Sequence, residues 1–216
     1  MTSLFTHIDN IEGHVGVGQL PTNLHPIIND VENTYYNLIP DKNISSYHIW
    51  CDNLPLSIKS KIEILQKSNF WNKLCIDNSY KCINVNGMDE LYYSNYKITS
   101  DNITLSQNLY GNTANVSQHK DCHNICSLDN IILYRVLIGV TNNNNNIITK
   151  LTNLNIEKKI NKYDYIVFDF SRTTHQVIKE NKNIDTPRII LKLHFIVYKE
   201  YKYSKFYINF IKKRVH

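Results

Sequence analysis

From Tyr80 onward the period changes: apolar residues alternate with polar ones or gather in short apolar runs, separated by polar turns. That alternation fits strands, whose side chains point to opposite faces in turn, and does not build one face of a helix. Lys81-Cys-Ile-Asn-Val85 and Leu91 to Ile98, joined through Asn86-Gly87, read as a hairpin. Further strands are expected at Ile103 to Tyr110, Ile131 to Val140, Ile147 to Leu151, Tyr163 to Phe170, Gln176 to Lys179 and Arg188 to Tyr198, about eight in all.

Before Tyr80 the period is helical. Ile27, Ile28, Val31, Tyr35 and Leu38 form one stripe, closed by Pro40, and Ile58, Ile62 and Leu65 form another within Pro55 to Phe70. Helices followed by a run of strands predict an α+β, mainly β chain whose sheets fold into a jelly roll or related barrel, with the helices covering a sheet. The 216 residues are expected to make one domain: a helical N-terminal support region over 1–79, a β core over 80–200, and a basic-aromatic tail over 201–216. No repeat of fixed period is visible, and Gly16-Val-Gly18 leads into Gln-Leu-Pro21 rather than from a strand into a helix, which argues against a phosphate loop.

Composition narrows the function classes. A chain with 42% hydrophobic and 20% charged residues has enough apolar side chains for a core. No apolar run reaches the roughly 18 residues of a membrane span, and the N-terminus lacks the basic and apolar regions of a signal peptide, so a cytoplasmic or nuclear protein with no membrane partner is expected. Cys51, Cys75, Cys82, Cys122 and Cys126 are odd in number and contain no CxxC pair, which fits reduced thiols. The formal charge of +5 rests on lysines in a chain rich in Asn, Ile and Tyr but with only four arginines, the bias of an A+T-rich genome such as that of a large DNA virus or a protist. The charge alone therefore does not argue for a polyanionic partner.

The chemistry concentrates in Asn108-Leu-Tyr110 through His119-Lys-Asp121, a stretch of strand character ending in His-x-Asp. Residues two apart on a strand share a face. His175 follows 56 positions later, within Phe168-Asp-Phe-Ser-Arg-Thr-Thr-His175-Gln-Val, and Arg188 lies 13 beyond it. Two imidazoles and one carboxylate leave half of an octahedral sphere open, which suits Fe(II) that must also take a cosubstrate and O2. A trailing arginine can grip a carboxylate with two parallel hydrogen bonds.

These residues resemble the Fe(II)/2-oxoglutarate-dependent oxygenases, a superfamily built on the double-stranded β-helix and carrying His-x-Asp, a distal His and a basic residue on the next strand. The similarity covers about Asn108 to Tyr198. It implies that His119, Asp121 and His175 ligate the iron and act as the catalytic centre, that Arg188 holds the distal carboxylate of 2-oxoglutarate, and that O2 is the oxidant, with ascorbate in a supporting role. Asn108 and Tyr110 are further cosubstrate contacts by resemblance to one branch, and Arg135, set within an apolar strand, is either another carboxylate contact or a surface arginine at a strand edge. Within the superfamily, Phe168-Asp-Phe-Ser to His175-Gln-Val is similar to the aspartyl/asparaginyl and prolyl hydroxylases, which implies hydroxylation of a polypeptide side chain. Asn108-x-Tyr110 with His119-x-Asp121 resembles the AlkB-type demethylases, which implies a nucleic-acid substrate instead, although Ile190 and His194 stand where that branch has Asn and Arg.

Other readings compete for the same residues. A jelly-roll binding module without turnover would keep the fold but would not need all of His119, Asp121, His175 and Arg188. His119, Cys122, His123 and Cys126 could suggest zinc, but lack a matching second pair. Lys192 and His194 share strand parity with Arg188 and are either pocket residues or ordinary polar positions. The tail sets Tyr198, Tyr201, Tyr203, Phe206, Tyr207 and Phe210 among Lys199, Lys202, Lys205, Lys212, Lys213 and Arg214, which reads as a closing amphipathic segment before it reads as a single-strand nucleic-acid surface.

Overall fold

The computed structural model describes residues 15–41, 44, 46–94, 131–142, 147–179, 188–200, 202–204 and 207–209, and the backbone of 116–119. Their elements run β1 (Val15–Gln19), α1 (His25–Leu38), β2 (Ser46–Trp50), α2 (Leu56–Gln66), β3 (Tyr80–Asn84), β4 (Glu90–Ser94), β5 (Val116–His119), β6 (Ile131–Gly139), β7 (Ile147–Leu151), β8 (Ile156–Lys159), β9 (Asp164–Asp169), β10 (His175–Lys179) and β11 (Arg188–Lys199). The strands form two antiparallel sheets. The larger has the order β1-β9-β6-β11-β4-β2, with β3 also on β11, and the smaller has the order β5-β10-β7-β8. This is a jelly roll.

Strand parity separates the two faces of the larger sheet. Ile132, Tyr134, Val136 and Ile138 of β6, Tyr165 and Val167 of β9, and Ile189, Leu191, Leu193, Phe195 and Val197 of β11 pack with Ile28, Val31 and Tyr35 of α1 and Ile58, Ile62 and Leu65 of α2. That is the outer face, covered by the helices. Ile131, Leu133 and Leu137, Ile166, Phe168 and Phe170, and Ile190, Ile196 and Tyr198 belong instead to a second core with Leu151 of the smaller sheet. Arg135 shares the parity of this inner set on β6; Arg188, Lys192 and His194 share it on β11. Charged and polar side chains on the inner face of a sandwich are unexpected as packing material and point to a functional role.

The helices are tied to the sheet by polar contacts as well as burial. The Tyr163 ring lies parallel to His25, with centroids 3.9 Å apart, and its hydroxyl donates to Asn29 Oδ1 at 2.7 Å. The Tyr35 hydroxyl donates to the carbonyls of Tyr47 and Leu91. These contacts hold Tyr163 at φ 69°, a left-handed conformation that a side chain rarely adopts.

Both expected helices form, as do the expected strands over 131–140, 147–151, 163–170, 176–179 and 188–198, within a residue or two at their ends. The N-terminal region is not helical support alone, because β1 and β2 join the larger sheet at its two edges. The hairpin does not form either. β3 and β4 lie end to end along one side of β11, pairing with Phe195 to Lys199 and Arg188 to Lys192 respectively, and Asn86-Gly87 falls in a short 3-10 turn between them. The expected strand from Ile103 to Tyr110 lies outside the described residues. So does most of the tail; of its described residues, Ile208 is buried in the inner core and Tyr203 stacks on Tyr207 at 5.5 Å. Among the described residues no helix is long and apolar enough to cross a membrane.

Candidate active site

His175 opens β10 directly after a braced turn. Asp169, at the end of β9, accepts hydrogen bonds from the backbone and hydroxyl of Ser171 and an ion pair from Arg172 at 2.5 Å. Thr174 is pinned from the 3-10 turn that follows β7, its carbonyl accepting from Thr152 N at 2.8 Å and its N–H donating to Asn153 Oδ1. The Phe168-Asp-Phe-Ser-Arg-Thr-Thr-His run is thus a rigid corner that turns the chain from the larger sheet to the smaller. The His175 ring is buried and lies 5.1 Å from the Phe168 ring across the gap between the sheets. Its Nδ1 is 3.2 Å from the Thr173 carbonyl. A carbonyl can only accept, so in the neutral ring Nδ1 carries the proton and Nε2 the lone pair, the state in which histidine ligates a metal.

On the other side of β10, His175 is the Cα partner of His119 on β5. The two positions of the sequence pattern that are 56 residues apart are thus direct neighbours across an antiparallel pair. Asp121, Asn108 and Tyr110, together with Cys122, His123 and Cys126, lie outside the described residues, and among the described residues no cluster of three metal-binding side chains occurs.

Arg188 begins β11 on the inner face and is 5% exposed, and its Nε has no hydrogen-bond partner among the described residues. Its direct partner on β4 is Ser94, whose Oγ is likewise buried and unpartnered. Thr149, on β7 of the opposite sheet, shares strand parity with Leu151 of the inner core, and its Oγ1 is in the same condition. Thr173 Oγ1, two residues before His175, completes the set. Buried donors without partners cost about 1–3 kcal/mol each, more when charged, so native proteins seldom keep them without a use. Among the described residues no carboxylate meets Arg188 Nε or these hydroxyls, and Glu90 is committed to Lys192. An imidazole prepared as a ligand and a buried guanidinium with orphaned hydroxyls fit a metal with a carboxylate-bearing cosubstrate.

Arg135 is not a surface arginine at a strand edge. β6 is central, and the guanidinium lies 4.9 Å over the Phe170 ring while its Nε donates to His194 Nε2 at 3.0 Å. Its Cα partner on β9 is Phe168, the ring that meets His175. Lys192 is engaged on the same face, in an ion pair with Glu90 at 2.5 Å and over the Tyr92 ring. Ser94, Thr149 and Asp89 carry no sequence signal of their own; each gains a role only through its register.

No family model matches the sequence, and no curated protein does. Solved structures do. One is a prolyl hydroxylase in complex with a hypoxia-inducible-factor oxygen degradation domain peptide from Trichoplax adhaerens, 12% identical over 90% of this chain and 87% of that one, with a TM-score of 0.52. AviO1 from Streptomyces viridochromogenes is 9% identical over 86% and 89% of the two chains, with a TM-score of 0.55. The non-heme alpha-ketoglutarate-dependent epimerase SnoN from nogalamycin biosynthesis is 9% identical over 86% and 77%, with a TM-score of 0.51. With its two antiparallel sheets and helix-covered outer face, the chain is built on the jelly-roll fold of the Fe(II)/2-oxoglutarate-dependent oxygenases.

Proposed function

We propose that this protein is an Fe(II)- and 2-oxoglutarate-dependent dioxygenase that hydroxylates a C–H bond of a polypeptide side chain. His119, Asp121 and His175 would hold the iron, and Arg188 would anchor the distal carboxylate of 2-oxoglutarate, with Ser94 and Thr149 as neighbouring donors. The observation that carries the reading is the buried, partly unsatisfied guanidinium of Arg188 on the inner face, in a fold where His175 and His119 are register partners. A polypeptide substrate is supported by the fold shared with a prolyl hydroxylase bound to a peptide.

When bound, the metal and cosubstrate would let O2 act as the oxidant, one oxygen atom going to the C–H bond as C–OH and the other to 2-oxoglutarate, which leaves as succinate and CO2. The chain's own residues set the conditions. Thr173 fixes the His175 tautomer through its carbonyl, so that Nε2 faces a ligand as a base. Phe168 packs against that ring and keeps it from turning. Arg188, held on the inner face at 5% exposure, would meet a carboxylate from a position already set by the strand, which reduces the reorganisation cost of binding.

The test is anaerobic titration with Fe(II) and 2-oxoglutarate, then succinate release on admitting air, for the wild type and for His119→Ala, Asp121→Ala, His175→Ala and Arg188→Ala. Loss in all four is expected, and undiminished succinate formation in any of the three ligand variants would overturn the metal assignment. Peptide libraries and methylated oligonucleotides offered side by side separate the substrate classes: gain of one oxygen atom on a peptide supports hydroxylation, and formaldehyde from an oligonucleotide supports demethylation. Succinate-free binding of a peptide would instead mark a module without turnover.

A further inference from the structure

At His194 the long strand β11 changes neighbours. Its N-terminal half pairs with β4 as far as Lys192, and its C-terminal half pairs with β3 from Phe195, so His194 has no strand partner on that side. Its carbonyl accepts from Val85 N at 2.8 Å and from Asn84 Nδ2 at 3.0 Å. Its N–H is taken by a side chain, donating to Asp89 Oδ1 at 2.6 Å. Asp89 is fully buried, and its other oxygen accepts from Gln66 Nε2 at 2.7 Å and Asn84 Nδ2 at 2.9 Å. Burial pushes its pKa well up, while these N–H donors oppose that shift.

Backbone repair alone would need only the carboxylate and the His194 amide. The ring continues the path. His194 Nδ1 lies 3.3 Å from Asp89 Oδ1, and its Nε2 accepts from Arg135 Nε at 3.0 Å. Accepting at Nε2 puts the ring proton on Nδ1, directed at the carboxylate. A hydrogen-bonded line therefore crosses the larger sheet, from Gln66 on the helix side through Asp89 and His194 to Arg135 on the inner face. Phe170 closes around its end, meeting the His194 ring edge-on at 5.5 Å and lying under the guanidinium. Arg135 in turn registers opposite Phe168, beside His175. Arg188 is six residues along β11 from His194, about 20 Å of strand. The two arginines thus serve different ends of the same face.

We propose that Asp89 and His194 are positioning residues that fix the Arg135 guanidinium at the His175 end of the inter-sheet site, where it contacts the 2-oxo-acid carboxylate of the cosubstrate. This rests on the dioxygenase reading above and deepens it: one arginine for each end of a dicarboxylate. Asp89 selects the His194 tautomer, His194 orients Arg135, and only Arg135 touches the ligand.

The experiment measures binding of 2-oxoglutarate and of 2-oxobutyrate, which lacks the distal carboxylate, to the Mn(II)-loaded protein, with side-chain 15N spectra of the histidines. Arg135→Met is expected to weaken both ligands alike, about tenfold or more, and Arg188→Met to weaken only 2-oxoglutarate. Asp89→Asn is expected to reproduce the Arg135→Met pattern, to shift the His194 ring out of its Nδ1-protonated form, and to add nothing further in the Arg135→Met background. His194→Phe, which keeps the packing on Phe170, is expected to reproduce the same binding pattern and likewise to add nothing further in the Arg135→Met background. Unchanged affinities in folded Asp89→Asn, additive losses in the double variant, or a His194 tautomer indifferent to Asp89→Asn would each overturn the positioning role. A wild type that binds neither ligand would overturn the dioxygenase reading as well, a distinct result from binding that is insensitive to Asp89.

Discussion

A buried guanidinium nitrogen and buried serine and threonine hydroxyls without partners among the described residues oppose folding, and this separates a binding role from a structural one. Ser94→Ala and Thr149→Val remove a polar atom that nothing in the described protein satisfies, so each is expected to leave stability unchanged or raise it by up to about 1 kcal/mol. Arg188→Met should behave likewise or better, because the charge itself is the costliest group to bury. The same changes are expected to weaken 2-oxoglutarate, by about ten- to a hundredfold for Arg188→Met. Urea denaturation beside Mn(II)/2-oxoglutarate titration reads both, and a destabilised Ser94→Ala with unaltered affinity would return that residue to the structural class. Sequence showed Arg188 because an arginine after a distal histidine has a spacing. It could not show Ser94, which matters only because the register of β4 against β11 sets it opposite Arg188.

Among the elements, β6 ends where two backbones nearly touch. A Cβ built on Gly139 would lie 2.0 Å from the Asn161 carbonyl oxygen, and Tyr163 N donates to the Gly139 carbonyl at 2.9 Å just before β9 begins. Since the obstruction is backbone, it cannot swing aside. Gly139→Ala is expected to cost about 3 kcal/mol or more and to show as a lower urea midpoint or loss of soluble protein. A variant as stable as the wild type would mean that the 161–163 loop yields without cost. Sequence periodicity found β6, β9 and β11 because their apolar runs are long, and β7 and β10 because polar stretches bound each of them on both sides. It misread β3 and β4 as a hairpin because Asn-Gly between two strands is a strong local signal. The competing requirement was tertiary: β11 runs twelve residues and needs two short partners along one side, with Asp89 bridging the gap at His194. β1, β2 and β8 are five, five and four residues long, too short for a period to stand out.

At the scale of the molecule, the sheet is assembled from distant pieces: β1 near the start pairs with β9, Val15 against Phe168, and β4 pairs with β11. Such pairings form late and are lost together, so no large part of the larger sheet is expected to open alone. Cys51 reports on this. It is 3% exposed within the helix-side core, its N–H donates to the Asp89 carbonyl at 2.8 Å, and burial pushes its thiol pKa well up, which disfavours the reactive thiolate in the folded state. Alkylation of Cys51, followed by peptide mass mapping, should therefore proceed only through unfolded chains and be slower by orders of magnitude than at a peptide thiol. A ligand that binds only the native state lowers that population in proportion to its saturation, so Mn(II) with 2-oxoglutarate at about a hundred times its Kd should slow Cys51 labelling about a hundredfold. Arg188→Met should abolish the protection while leaving the basal labelling rate no faster. Protection that survives in Arg188→Met would mean that the ligand stabilises the fold from somewhere other than the inner face. Labelling that is fast and blind to ligand would mean that the helix layer opens while the jelly roll stays closed, so that the two cores on either side of the larger sheet are separable units.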